Sequence, residues 1–174
     1  MVDGDRLREW LDKLSIRELI ERAMRYVDDQ NGPRLAELFA DDGVMQLAGM
    51  VMDRDAIMAI GAGKTPGDWT QPGELLKQPA SAHVSSNPVI DIDGDTAVAE
   101  TDMVVLNRDE DGRARITLVA RYRDRLRRAE NGRWLITNRT GVSVARPGEE
   151  RTDSEWAKAL VRMPEEMRAK FRTD

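Results

Sequence analysis

Apolar residues recur at helix spacing through the first third of the chain. Leu7, Trp10, Leu11 and Leu14 form one such set, and Ser15-Ile16-Arg17-Glu18 then has the form of a capping box. A second helix is therefore predicted from Ile16, with Leu19, Ile20, Ala23, Met24 and Val27 on its buried stripe and Glu21, Arg22 and Arg25 opposite. Asp28 follows Met24 by four residues, which sets a carboxylate at the edge of that stripe; it also reads as a helix-terminal cap or a water-facing acid. Asn31-Gly32-Pro33 breaks the pattern and restarts a helix that buries Leu35, Leu38 and Phe39 and ends at Asp41-Asp42-Gly43. Val44 to Leu47 and Met50 to Met52 read as short strands around Ala48-Gly49, followed by a short helix from Arg54 to about Ile60.

From Gly61 to Pro79 glycine and proline dominate, as in a long loop, with Trp69 either a core anchor or a lid side chain. Beyond His83 the periodicity changes to two. Turns at Asp93-Gly94-Asp95, Asp109 to Gly112 and Glu130-Asn131-Gly132 predict three successive hairpins. In the third strand Arg121, Arg123, Arg125 and Arg127 share one face while Ala120, Tyr122, Asp124 and Leu126 share the other. Arg146 to Glu150 reads as a linker. After it, Asp153 is suited to cap a helix with Trp156, Ala159 and Leu160, and Met163-Pro164 to start one with Met167 and Phe171. The plan is α+β: N-terminal helices over the concave face of a curved antiparallel sheet in residues 1–145, then a linker and helical C-terminal tail in 146–174.

Charge and composition narrow the chemistry. The 174 residues carry a net charge of −5, which argues against nucleic-acid binding. With no cysteine and one histidine, thiol chemistry and multi-histidine metal sites are excluded; a carboxylate-only magnesium or calcium site is compatible with the composition, but no metal or cofactor is expected. The acidic start and the lack of a transmembrane-length apolar run predict a cytoplasmic protein without a membrane partner. His83 is the only side chain whose unperturbed pKa, roughly 6.5, suits proton transfer near neutrality.

The run from Ile16 to Tyr26, then Asp28 and Leu35 to Asp42, resembles SnoaL-like proteins of the nuclear transport factor 2-like superfamily. His83-x-x-x-Asn87, Asp93-Gly94-Asp95, Tyr122-x-Asp124-x-Leu126 and Gly132-x-Trp134-x-Ile136-x-x-Arg139 continue the resemblance. It implies a cone-shaped α+β barrel. Scytalone dehydratase, bile-acid dehydratase, ketosteroid isomerase and polyketide cyclases share that cavity and use no cofactor. In the dehydratase branch the acid/base pair corresponds to Asp28 and His83. Where scytalone dehydratase has a second histidine this chain has Thr101-Asp102, and only Tyr26 and Tyr122 are available for its two tyrosines.

A carboxylate beside an imidazole in an apolar hollow favours the protonated ring and fixes its tautomer. The expected reaction is dehydration or isomerisation of an apolar cyclic molecule. His83 moves the proton, Asp28 orients it, and Tyr122, with Tyr26 or Asn87 as alternatives, hydrogen-bonds the developing enolate. Met24, Leu38, Met45, Trp69, Val104 and Asp102 are the remaining candidate liners. Other readings are a non-catalytic ligand-binding or dimerisation module, a small-subunit-like partner of a ring-hydroxylating dioxygenase, and epoxide hydrolysis by Asp102 and Asp124 around an arginine. The arginine row and the open sheet face also suggest a homodimer or homotrimer.

Overall fold

The computed structural model describes residues 3–47, 49–62, 81–144 and, as backbone, 171–173. A single helix, α1 (Gly4–Asp28), opens the chain and runs straight through the boundary expected at Ser15. The capping box does not form. Ser15 Oγ instead donates back to the Leu11 carbonyl at 2.9 Å, and Glu18 accepts from Arg22 at 2.6 Å, both compatible with an unbroken helix. Asp3 is the actual N-cap. Ile16, Leu19, Ile20, Ala23 and Met24 are buried on one stripe, and burial stabilises the docking of α1 by about 1.5–3 kcal/mol per large side chain. Leu7, Trp10, Leu11 and Leu14 continue the period but stay 52–62 % exposed.

The next helix, α2 (Gly32–Ala36), is shorter than expected. Phe39, expected on that helix, instead begins strand β1 (Phe39–Leu47), and Asp41 to Gly43 lie inside the strand. They occupy an irregularity where the register slips between Phe39 and Val44. Gly43 is required there, since a Cβ would lie 2.8 Å from the carbonyl oxygens of Ala40 and Ile136. Strand β2 (Met50–Met52) and helix α3 (Arg54–Met58), capped by Asp53, follow as the pattern predicts.

Three hairpins link β3 (Ala82–Asp93), β4 (Thr96–Arg108), β5 (Ala114–Arg128) and β6 (Trp134–Ser143). With β7 (Phe171–Thr173) they build one seven-stranded sheet in the order β3-β4-β5-β6-β1-β2-β7. The curved sheet with helices on its concave face is the architecture expected, and it stays open between its β3 and β7 edges. It is mixed rather than wholly antiparallel, because β1 lies parallel to β6. Phe171, expected on a helix, pairs with Met52 in β7. The linker and helices expected over 146–170 lie outside the described residues.

Alternation sorts the side chains of β4 and β5 into two faces. Ala99, Thr101, Met103, Val105, Ala120, Tyr122, Asp124 and Leu126 turn inward onto α1, and the four arginines turn outward as expected. Toward the N-terminal end of α1, Asp12 is gripped by the same face of the sheet. Arg128 donates to both its carboxylate oxygens at 2.6 and 2.7 Å, and Trp134 Nε1 adds a bond of 3.2 Å. The Arg128 guanidinium lies 4.3 Å over the Trp134 ring, so one cluster ties the helix to the β5–β6 hairpin. Among the described residues no helix is long and apolar enough to cross a membrane.

Candidate active site

Asp28 ends the buried stripe of α1, so the helix that packs the core also delivers a carboxylate to the inner face of the sheet. It meets His83, the second residue of β3, which lies opposite Val105 and therefore shares its inward direction. His83 Nδ1 is 2.6 Å from Asp28 Oδ1, and the His83 backbone N–H donates to Oδ2 at 2.9 Å. Ser81 Oγ donates to Oδ1 at 2.7 Å. The two side chains are only 5 % and 9 % exposed. Burial alone would push the Asp28 carboxyl up, but the bonds from the His83 ring, the His83 backbone and Ser81 outweigh it and hold the group below 3.8. An ionised carboxylate is acceptor-only, so Nδ1 of neutral His83 carries the proton and Nε2 keeps a free lone pair.

Tyr122 lies on the inner face of β5 with its ring stacked on the Arg139 guanidinium at 4.8 Å. Arg139 is fixed in turn by Asp124, through bonds of 2.7 and 2.8 Å, with both residues at most 1 % exposed. Gly141, opposite Tyr122 on β6, leaves the ring its space, because a Cβ there would come within 3.0 Å of Tyr122 Cε1. Burial pushes the phenol up to about 12, with Arg139 opposing and the charges of Asp124 and Asp28 adding. Tyr122 is thus a neutral hydrogen-bond donor across the working pH range. Its cross-strand neighbour Thr101 is 1 % exposed and its hydroxyl has no hydrogen-bond partner among the described residues, a condition that costs about 1–3 kcal/mol.

Of the other anticipated residues, Met24, Leu38 and Met45 are buried in the core. Asp102 and Val104 turn to the opposite face of β4, by strand alternation, and Asp102 accepts from Arg121 at 2.7 Å. Asn87 lies exposed at the β3 irregularity with φ 52° and bonds to Asp102, so it too is remote from His83. The Tyr26 hydroxyl is hydrogen-bonded by Arg34 and Arg22, on the side of α1 away from Asp28. Trp69 lies outside the described residues. Asp102 and Asp124 occupy opposite faces, and the paired-carboxylate epoxide reading is set aside for that reason.

Ser81 was not anticipated, although its place two residues before His83 puts both on one side of an extended chain. The Arg139–Asp124 pair and the orphan Thr101 hydroxyl depend on cross-strand register, which no local signal reveals. Among the described residues no group of three or more His, Asp or Glu side chains could hold a metal ion. A depression of about 830 Å³ lies on the other face of the sheet, lined by Arg121, Arg123, Arg125, Asn138 and Thr140 among others.

An open curved sheet wrapped against a long helix is the architecture of the nuclear transport factor 2-like α+β proteins. Residues 8–140 match the model of the SnoaL-like domain, and the chain belongs to that family. Among solved structures it is similar to a nuclear transport factor 2-like protein with a cystatin-like fold from Novosphingobium aromaticivorans, at 28 % identity and a TM-score of 0.67, covering 94 % of this chain and 99 % of that one. A Mycobacterium tuberculosis protein of unknown function, Rv3472, is 20 % identical with a TM-score of 0.72 over 98 % of this chain and 94 % of that one. A hexachlorocyclohexane dehydrochlorinase of type LinA from Novosphingobium barchaimii shares the fold at 17 % identity and a TM-score of 0.61, over 80 % of this chain and 90 % of that one. Among curated proteins none matches.

Proposed function

We propose that this protein is a cofactor-independent dehydratase or isomerase that moves a proton on an apolar cyclic molecule. The observation that carries the reading is the 2.6 Å contact between His83 Nδ1 and Asp28 Oδ1, with both side chains withdrawn from water. Nε2 of His83 takes a proton from a carbon next to a carbonyl, and the bonding pair moves into an enolate. The phenol of Tyr122 donates a hydrogen bond to the enolate oxygen as charge develops there. Asp28 holds the resulting imidazolium. The ring then returns its proton, either to a departing hydroxyl, which leaves as water, or to a second carbon, which completes an isomerisation. An elimination is also what the name dehydrochlorinase describes for the Novosphingobium barchaimii relative, which supports the class and not the substrate.

The test is solvent-deuterium exchange at the α-carbon of a panel of cyclic ketones, from one to three fused rings, followed by NMR. Wild-type protein is expected to accelerate exchange of at least one member. His83→Ala and Asp28→Asn are expected to reduce that rate by about 10²–10⁴-fold with circular dichroism unchanged. Exchange that survives in either folded variant removes that residue from the mechanism, and a wild-type protein inert toward the whole panel removes the reading.

A further inference from the structure

Along the buried positions of β4 every residue but one is apolar. Ala97, Ala99, Met103 and Val105 are buried on the inner face together with Thr101, whose hydroxyl has no hydrogen-bond partner among the described residues. The frame around that hydroxyl is built so that none is at hand. Its neighbours on the same face of β4 are Ala99 and Met103. On β5 it faces Tyr122, whose ring lies against Gly141 and Arg139 on the strand beyond. Asp124, two residues along β5, is engaged through both oxygens by Arg139. On the β3 side the register passes from Ser86 opposite Asp102 to Val89 opposite Glu100, so two residues, Asn87 and Pro88, face the single Thr101. This is a bulge. Asn87 takes φ 52° there and bonds to Asp102 on the outer face, while Pro88 has no N–H to give. A valine would fill the same shape as Thr101 and leave no polar atom unpaired.

We propose that Thr101 is a specificity-determining residue, which holds an oxygen substituent of the substrate remote from the carbon that His83 deprotonates. This assignment rests on the proposed proton transfer and gives it a substrate class: an oxygenated ring system in place of a plain cyclic ketone. A threonine hydroxyl both donates and accepts, so it can meet a hydroxyl or a carbonyl. Position in the sheet sets the length of the ligand. His83 stands opposite Val105, four residues from Thr101 along β4. At about 3.3 Å per residue the two cross-strand rows are about 13 Å apart. A ligand that touches both rows is longer than one six-membered ring, and the oxygen at Thr101 lies on a different ring from the reacting carbon. The bulge at Asn87-Pro88 keeps β3 from supplying the bond that the ligand makes. Selectivity follows from what each ligand leaves behind. One with the oxygen pairs the buried hydroxyl, and one without it leaves that hydroxyl unpaired in a site it has also closed to water.

The test compares binding to the full chain, by titration calorimetry, of the bicyclic ketone α-tetralone and its derivatives with one hydroxyl on the aromatic ring. At least one hydroxylated ketone is expected to bind the wild type at least about tenfold more tightly than α-tetralone itself. In Thr101→Val that ratio is expected to fall to about one, and in Thr101→Ser to recover. Thr101→Val should melt no lower than the wild type, because it removes a polar atom that the free protein leaves unpaired. Equal affinity for all the ketones overturns the proposal, as does a preference that survives in Thr101→Val, a melting point lowered by that change, or no measurable binding of any ketone. Loss of every ligand at once in folded Thr101→Val marks a structural role and overturns it as well. Solvent-deuterium exchange on the same ketones keeps this result apart from the proton transfer. A wild type that shows the preference but exchanges none of them loses the proton transfer and keeps the subsite, whereas exchange without the preference loses the subsite alone.

Discussion

At Asp28 three donors share two oxygens, so the carboxylate has little freedom to rotate and the imidazole is held through it. Ser81 is the donor whose removal perturbs this arrangement least elsewhere. Ser81→Ala is expected to lose about 1.5 kcal/mol of stability, the low end for a bond to a charged group. It should also move the Asp28 carboxyl back up toward its ordinary value, because one of the bonds that hold it down is gone. Carboxyl NMR across an acid titration reads that shift directly, and an unmoved titration would mean that Ser81 is only a neighbour. Legibility at this scale was uneven. Asp28 stood out by its four-residue offset from Met24 and His83 by being the only histidine, whereas Asp102, Val104 and Asn87 were placed on the wrong side of the sheet. Strand alternation was already sufficient to place Tyr122 and Asp124 inward on β5. It was not carried across to β4, whose register relative to β5 is a tertiary fact.

α1 is held at two carboxylates, and both titrate low. Bonding by Arg128 leads the causes that hold Asp12 below 3.8, with Trp134 adding and burial opposing; Asp28 is held below 3.8 by its bonds to His83 and Ser81 in spite of burial. A folded-state value below the unfolded one means that each ionised group adds stability in full above the unfolded value, and that this is lost as pH falls through the folded one. Thermal midpoints are therefore expected to be flat with respect to both groups from pH 7 to about 5 and to fall steeply below about pH 4, with Asp12→Asn showing a shallower fall. Unchanged steepness in Asp12→Asn would detach that residue from the acid response. The length of α1 was only half legible. The capping-box pattern at Ser15 to Glu18 is satisfied equally well inside a helix, by back-bonding of Ser15 and by pairing of Glu18 four residues on. The hairpins, in contrast, were legible almost to the residue, since each turn carries its own glycine.

At the centre of the sheet the Asp124–Arg139 pair ties β5 to β6 beside Tyr122. Arg139→Leu alone leaves a buried carboxylate without its partner and is expected to cost about 3–5 kcal/mol, whereas adding Asp124→Leu should recover most of that loss. Urea unfolding of the two singles and the double reads the coupling, and additive losses would show that the pair is not a unit. The parallel alignment of β1 with β6 was beyond reach of local pattern. Strand type can be read from alternation, but the partner of a strand that lies some ninety residues away cannot.

From Asp12 to Asp28 the helix is about 24 Å long at about 1.5 Å per residue. It works as a strut, bolted at one end to Arg128 and Trp134 and presenting at the other the carboxylate that aligns the imidazole. Any loosening of that distant mounting is felt at the tip as a change in aim. The alignment of Asp28 with His83 therefore has a weak point about 24 Å away, at the other end of the helix.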